Sequence, residues 1–138
     1  MTALWVLLAA IVVLMGYIRL APSDPATWHR PPAVEENADL PGGAMRLVRP
    51  ASATTLARLD ALVRATPRTK VLAGSVQDGM ITYVTRSRVM GFPDYTTVAL
   101  DDDALRIHGR LRFGRSDLGV NAARIDGWLE ALGPGGQS

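Results

Sequence analysis

The chain opens with a long run of apolar residues. Residues Ala3–Ile18 carry no charge, and the run resumes after Arg19. At 1.5 Å per residue, roughly 18 helical residues cover about 27 Å, which is just enough for the hydrocarbon core of a bilayer. The pattern therefore predicts one transmembrane helix over residues 1–20, in contact with the lipid bilayer. The first four residues contain no lysine or arginine and no A-x-A site follows, so an anchor is favoured over a cleaved signal peptide.

A proline-rich segment, residues 21–50, follows the apolar run. It holds six of the nine prolines, and proline opposes both helix and sheet, so we expect an extended, semi-rigid spacer. Trp28 interrupts this segment, and packing beneath the domain is favoured over contact with a partner protein. Leu47 and Val48 are candidates for a short entry strand.

Residues 51–133 show the pattern of one small α+β domain. Short connections between consecutive strands imply an antiparallel meander. The element order α-β-β-β-β-α predicts a four-stranded antiparallel sheet with both helices packed on one face. A flexible tail is expected over residues 134–138. The four strand-like runs cover residues 69–76, 80–90, 95–100 and 104–113.

Both predicted helices of the domain have one apolar stripe. Ser52 is the expected N-cap of the first helix, which ends before Pro67. Ser116 or Asp117 is expected to cap the second helix. The buried positions predicted from helical spacing are Leu56, Leu59, Leu62 and Val63 in the first helix and Leu118, Ala122, Ile125, Leu129 and Leu132 in the second.

Arginines alternate with apolar residues along the last predicted strand. Because successive side chains of a strand point to opposite faces, the apolar set packs under the helices and the other face carries the basic side chains. We call this predicted surface the arginine face. It contains Arg106, His108, Arg110 and Arg112. Arg86 and Arg88 of the second strand join this face if the strand register places them on the same side of the sheet.

Polar residues lead from the last strand into the second helix. A helix N-terminus beside arginines readily binds an anion, and Arg115 and Ser116 lie at such a position. Asp117 counts against this use, because its carboxylate competes for the same amides. The favoured interpretation is an arginine–aspartate network that holds the loops in place. In this network Asp94 or Asp117 pairs with Arg88, Arg112 or Arg115.

The amino-acid composition reduces the number of functional sites that the chain could contain. The basic residues are fourteen arginines and Lys70, cysteine is absent, and the formal net charge is +2. The lack of cysteine excludes disulfides, thiol catalysis and thiolate metal sites. His29 and His108 lie in different segments without ligand-spaced partners, so we expect no metal site. The modest charge and the lack of a phosphate-binding glycine loop favour neither a nucleic-acid partner nor a nucleotide cofactor, and no cofactor is expected.

Two segments, Thr82–Val98 and Arg110–Leu129, resemble the family catalogued as domain of unknown function 1499. The most specific block is Arg112–Asn121, followed by the Arg-x-Arg and Gly-Phe-Pro-Asp run that ends at Asp94. The resemblance covers residues 52–132.

The chain departs from this family at two positions. Leu111 stands where the family often has serine, and Ala122 stands where many members have arginine, with Arg124 retained. The missing serine hydroxyl counts against a serine-dependent reaction.

The resemblance implies a small membrane-associated or exported domain of a kind found in bacteria and plant plastids. It favours the periplasmic side of the bacterial inner membrane. The positive-inside rule favours the cytoplasm instead, because Arg19 and Arg30 follow the apolar run. The family resemblance implies no activity.

These features favour a non-catalytic accessory or assembly subunit of a larger inner-membrane complex, with other membrane proteins as partners. A binding module for a small anion or lipid headgroup on the arginine face is one alternative. An enzyme with Asp94 or Asp117 as acid or base ranks last. The candidate anion- or partner-binding residues are Arg86, Arg88, Asp94, Arg110, Arg112, Arg115, Ser116, Asp117 and Asn121.

Overall fold

The computed structural model describes residues 1–133, which form four helices and six strands. The expected tail, residues 134–138, lies outside the described residues. The helices are α1 (Thr2–Leu20), α2 (Pro25–Trp28), α3 (Ala53–Arg64) and α4 (Val120–Leu132), and the strands are β1 (Ala38–Leu40), β2 (Gly43–Val48), β3 (Thr69–Ser75), β4 (Met80–Arg86), β5 (Pro93–Asp101) and β6 (Ala104–Leu111).

The strands form one antiparallel sheet in the order β1-β2-β6-β5-β4-β3. The prediction of four strands is therefore wrong, because β1 and β2 come from the segment predicted to be a spacer. Pro41 lies in the turn between these strands and Pro50 lies beyond β2, so neither proline interrupts the ladder. The central meander β3-β4-β5-β6 agrees with the prediction.

Helices α3 and α4 pack against one face of the sheet and against each other. Ser52 caps α3 through a capping box, in which the Ser52 N–H donates to Thr55 Oγ1 at 2.9 Å. The helices and the inward side chains of the strands enclose the core. Its principal members are Leu56, Leu59, Val63, Ile81, Tyr83, Val98, Leu105, Ile107, Ile125 and Trp128.

Residues 22–34, which we call the strap, cover the opposite face of the sheet. The Trp28 ring stacks on Tyr95 with 3.9 Å between ring centroids and 14° between ring planes. His29 Nδ1 lies 2.8 Å from Thr82 Oγ1, and Val34 is fully buried. The first half of the proline-rich segment is thus part of the folded domain, and Trp28 has the packing role that was favoured for it.

Two local predictions fail at one end of the sheet. The second predicted strand ends at Arg86 rather than Met90, since Ser87 closes a loop in which its Oγ accepts from the Phe92 N–H at 2.9 Å. Leu118, predicted to be buried, is 91% exposed because α4 begins only at Val120. The buried stripe of α4 starts one turn later, and Arg88 lies in the loop instead of on the sheet.

Helix α1 has 19 residues and a mean hydropathy of 2.3 over its best 18-residue window, of which 6% is buried. By length and composition it could cross a membrane. An N-terminal signal sequence shares these properties.

Candidate functional site at the junction of the apolar helix and the domain

The two ends of the sheet differ in charge. The β4–β5 loop (87–92) and the β6–α4 loop (112–119) leave the sheet at the same end, because Leu111 of β6 pairs with Asp94 of β5. Helix α1 ends against the same loops, so we call this the junction end. It carries five arginines and two aspartates (Arg19, Arg86, Arg88, Arg112, Arg115, Asp94 and Asp117), whereas the opposite end carries four aspartates, two of them paired with arginine (Asp78, Asp101, Asp102 and Asp103, with Arg49 and Arg106).

Reciprocal hydrogen bonds attach α1 to the domain. The Arg86 guanidinium donates to the carbonyl oxygen of Ile18 at 3.3 Å and to that of Gly91 at 3.0 Å. In the other direction, the Arg19 guanidinium donates to the carbonyl oxygens of Val89 and Met90. Each arginine therefore ties the last turn of α1 to the β4–β5 loop.

Packing reinforces this attachment. Ile18 is only 5% exposed, although most of α1 is bare. The Tyr17 ring meets the Phe113 ring edge-on, with 6.2 Å between centroids. Gly91 has a φ of +71°, and a Cβ there would lie 2.9 Å from Arg19 Cγ, so the close approach depends on glycine.

Four polar residues form a connected network beside the junction. Asn121, fully buried in the first turn of α4, donates through Nδ2 to Asp117 Oδ2 at 2.8 Å and to Asp94 Oδ2 at 3.3 Å. Arg124 pairs with the same Asp94 oxygen at 3.3 Å and donates to Asn121 Oδ1 at 3.1 Å. Asp117 also accepts from the Gly119 N–H at 2.9 Å and from the Asn121 N–H at 3.0 Å, but the N-cap of α4 is Gly119 in the left-handed conformation, so the prediction that Ser116 or Asp117 caps this helix is wrong.

The two carboxylates of this network are held differently. Burial raises the pKa of Asp94 above its ordinary value of 3.8, and attraction to Arg124 offsets only part of that effect. Burial also acts upward on Asp117, but hydrogen bonds from Asn121 and the Gly119 amide outweigh it and lower the pKa of Asp117. Hydrogen bonds thus stabilise the ionised form of Asp117. The ionised form of Asp94 would be stabilised most by a further hydrogen-bond donor or positive charge.

A cleft of about 630 Å³ opens beside this network, and we call it the junction cleft. One wall is apolar and begins on α1, while the other wall includes both carboxylates and Arg124. Its lining combines Leu14, Ile18, Phe92, Leu111, Phe113, Gly114, Leu118 and Val120 with Ser87, Asp94, Ser116, Asp117 and Arg124.

Arg106, Arg110 and Arg112 of the predicted arginine face lie beneath the strap. Arg110 donates to the carbonyl oxygen of Trp28 and lies over its ring, 5.5 Å from the centroid. Arg112 donates to the carbonyl oxygen of Pro22 at 2.9 Å, and Arg106 donates to that of Val34. Burial lowers the pKa of Arg110, as expected for a cation removed from water.

The structure brings some predicted site residues together and separates others. Asp94, Asp117 and Asn121 form one network, but its arginine is Arg124 rather than the arginines predicted to pair with the aspartates. Arg86 belongs to the junction, and Arg110 and Arg112 belong to the strap contact. Arg88, Arg115 and Ser116 are exposed on the two junction loops.

Sequence reasoning missed Arg124 as a site residue, along with the contribution of Leu14 and Ile18. A usable signal for Arg124 was present, because it follows Asn121 by three positions and therefore shares its helix face. No local signal marks Leu14 and Ile18, since their place in the cleft depends on how α1 folds back onto the domain.

Together these elements define a small α+β domain with an apolar N-terminal helix docked on one end and a strap across one face. The chain belongs to the family described as protein of unknown function (DUF1499), which matches residues 24–132. The match begins earlier than the resemblance over residues 52–132 suggested, and it includes residues 24–34 of the strap together with β1 and β2. No curated protein matches the chain significantly.

Proposed function

We propose that this chain is a single-span, non-catalytic accessory subunit of a larger protein complex in the bacterial inner membrane, with its domain in the periplasm. The observation that carries the proposal is the junction, where Arg19 and Arg86 tie α1 to the β4–β5 loop through four backbone carbonyl groups. A domain that was only tethered to the membrane, with no fixed contact to a partner, would not require hydrogen bonds between its anchor helix and its β4–β5 loop.

A rigid helix–domain unit is well suited to binding a polytopic partner at two levels. The bare surface of α1 would pack against transmembrane helices, while the domain would contact the partner outside the bilayer. Because the two parts are held in one geometry beforehand, the second contact costs less conformational entropy than it would with a flexible linker. Gly16 adds a place for close helix approach, since nothing lies within 4 Å of a Cβ built there.

The test is a photo-crosslinking scan along α1 in native membranes. A photoreactive amino acid is placed singly at each exposed position from Leu4 to Leu14 and the full chain is illuminated in the cell. We expect crosslinks to one protein species at positions three, four and seven residues apart, as one helix face would give. Equal crosslinking around the helix, or crosslinks to lipid alone, would contradict an accessory role.

The alternative of an anion site on the arginine face has weaker support. Arg106, Arg110 and Arg112 already donate to carbonyl oxygens of the strap, so an anion would have to displace it. An acid–base role for Asp94 would require Arg124 to release it. Neither alternative has an observation in its favour as direct as the junction.

A further inference from the structure

We propose that the junction cleft binds a membrane phospholipid whose headgroup carries a primary ammonium group. The ammonium would donate to Asp94, the phosphate would lie toward Arg88 and Arg115, and the acyl chains would run along α1. This site is separate from Arg106, Arg110 and Arg112 beneath the strap, and it rests on the membrane anchoring proposed above.

The apolar wall of the cleft is continuous with the surface that α1 would present to lipid. Leu14 lines the cleft and is 57% exposed, and Ile18 lines its inner part. From the domain, Leu118 and Val120 extend this wall and are 91% and 47% exposed. Such exposed apolar residues beside a membrane helix are suited to acyl chains, which are present at high concentration at that depth.

The polar wall of the cleft presents a carboxylate with unused hydrogen-bonding capacity. An ionised carboxylate offers about four acceptor positions. Within residues 1–133, Asp94 receives only the hydrogen bonds from Asn121 and Arg124, both at 3.3 Å and both to Oδ2. Since Asp94 is largely buried and its Oδ1 has no partner within residues 1–133, a primary ammonium with three N–H donors would complete its hydrogen bonding alongside the ion pair with Arg124.

The two exposed arginines flank the cleft on its two loops. Arg88 follows the lining residue Ser87, and Arg115 lies between the lining residues Gly114 and Ser116. Neither guanidinium has a hydrogen bond or ion pair within the described part of the chain, so both are available for a phosphate. Carboxylates inside and arginines at the rim match a zwitterionic headgroup better than a purely anionic one.

The test is native mass spectrometry of the full chain, purified in mild detergent and titrated with phospholipids of identical acyl chains. The probes are phosphatidylethanolamine, its trimethylated counterpart phosphatidylcholine, which has the same charge but no N–H donor, and anionic phosphatidylglycerol. We expect phosphatidylethanolamine to be retained about ten-fold better than phosphatidylcholine, the ratio typical of one charge-assisted hydrogen bond. Equal retention of these two, or a preference for phosphatidylglycerol, would overturn the proposal.

Matched variants locate the site. Asp94→Asn should abolish the preference for phosphatidylethanolamine, whereas Asp78→Asn at the opposite end of the sheet should leave it intact. Leu118→Asp, at a fully exposed position that does not support the fold, should reduce retention of all phospholipids, and Leu40→Asp on β1 should not. If Leu118→Asp retains lipid like the parent chain, the acyl path is wrong even where Asp94→Asn folds poorly.

The same mass spectra distinguish a failure of the lipid-binding proposal from a failure of the proposed function. The intact mass reports whether residues 1–20 are present, so loss of the anchor is recognised directly. Failure of the crosslinking scan leaves lipid selectivity unaffected, and failure of lipid selectivity leaves the scan unaffected.

Discussion

The Arg86 guanidinium donates to the carbonyl oxygen of Ile18 at 3.3 Å, so the last residue of a central strand is bonded directly to the end of the apolar helix. That carbonyl group belongs to the last turn of α1, where helical partners are lacking. Arg86 therefore acts as a C-terminal cap supplied by the domain, which couples the helix end to the sheet.

Replacing Arg86 should weaken the domain as well as the junction. In Arg86→Ala the carbonyl groups of Ile18 and Gly91 lose a donor, and we expect a loss of about 1–3 kcal/mol in the free energy of unfolding. Arg88→Ala is the control, because that exposed side chain has no such bonds in the described residues, and it should change stability by less than about 0.5 kcal/mol. Urea unfolding of the detergent-solubilised chain, followed by near-ultraviolet circular dichroism, measures both. Equal stability of the two variants would mean that the Arg86 bonds do not support the fold.

Removing the Trp28 side chain should release the strap. The ring is stacked on Tyr95 and lies under Arg110, so Trp28→Ala should cost about 2–4 kcal/mol. Amide hydrogen exchange should rise over the strap while the α3–α4 face keeps its protection. Trp5→Ala, which alters a 66% exposed ring on α1, is the matched control and should leave both regions unchanged. Unchanged exchange over the strap in Trp28→Ala would refute the anchoring role of this ring.

The pH dependence of stability should have opposite signs at two aspartates. The folded-state pKa of Asp94 is raised by burial, so the native state binds more protons than the unfolded state just above pH 3.8, and stability from this group falls as pH rises through that range. The hydrogen bond from Arg46 lowers the pKa of Asp126 in the folded state, so its contribution is present above pH 3.8 and is lost as pH falls below it.

Asparagine variants isolate these two effects. Relative to the parent chain, Asp94→Asn should gain stability as pH is raised from about 3 to 7, while Asp126→Asn should lose it over the same interval. Denaturant midpoints at closely spaced pH values measure the difference. Parallel pH profiles for the two variants would show that the burial of Asp94 does not govern its titration.

Two glycine-to-alanine variants test how closely α4 packs on β6. A Cβ at Gly109 would lie 2.8 Å from Ile125 Cδ1 and 3.0 Å from Asn121 Oδ1, so in Gly109→Ala the ends of these two side chains must shift. We expect a cost of about 1–3 kcal/mol and a disturbed Asn121 network. Gly127→Ala meets nothing within 4 Å and should stabilise the helix by about 1 kcal/mol. A harmless Gly109→Ala would mean that the helix and sheet are less tightly packed than the structure shows.

Hydrophobic periodicity correctly predicted the helices and strands in which buried and exposed side chains recur at regular spacing. The core positions of α3 and the inward residues of β6 follow such patterns, and Leu56, Leu105 and Ile107 are buried as expected. Strands β1 and β2 were largely missed because they are short, lie among prolines, and exist through pairing with β6, which is remote in sequence.

The candidate site was harder to predict because its contacts are made to backbone atoms. Alternation along β6 correctly placed Arg106 and Arg110 on one face, but side-chain patterns cannot show that strap carbonyl groups accept their hydrogen bonds. Leu118 was assigned to the helical stripe because its spacing fits, whereas Leu118 and Gly119 both have positive φ and α4 begins only at Val120, with Gly119 as its N-cap. The junction cleft itself combines α1 with loops that no local pattern relates to it.

The most direct test of the account is whether α1 and the domain move as one body. The chain has no cysteine, so Val13→Cys on α1 and Asp78→Cys on the β3–β4 turn can be spin-labelled cleanly in the full chain. In lipid nanodiscs, double electron–electron resonance should give one narrow distance distribution, broadened by the additional Arg19→Ala and Arg86→Ala changes. A broad distribution in the parent chain, spread over roughly 20 Å or more as a free spacer would allow, would contradict the rigid helix–domain unit.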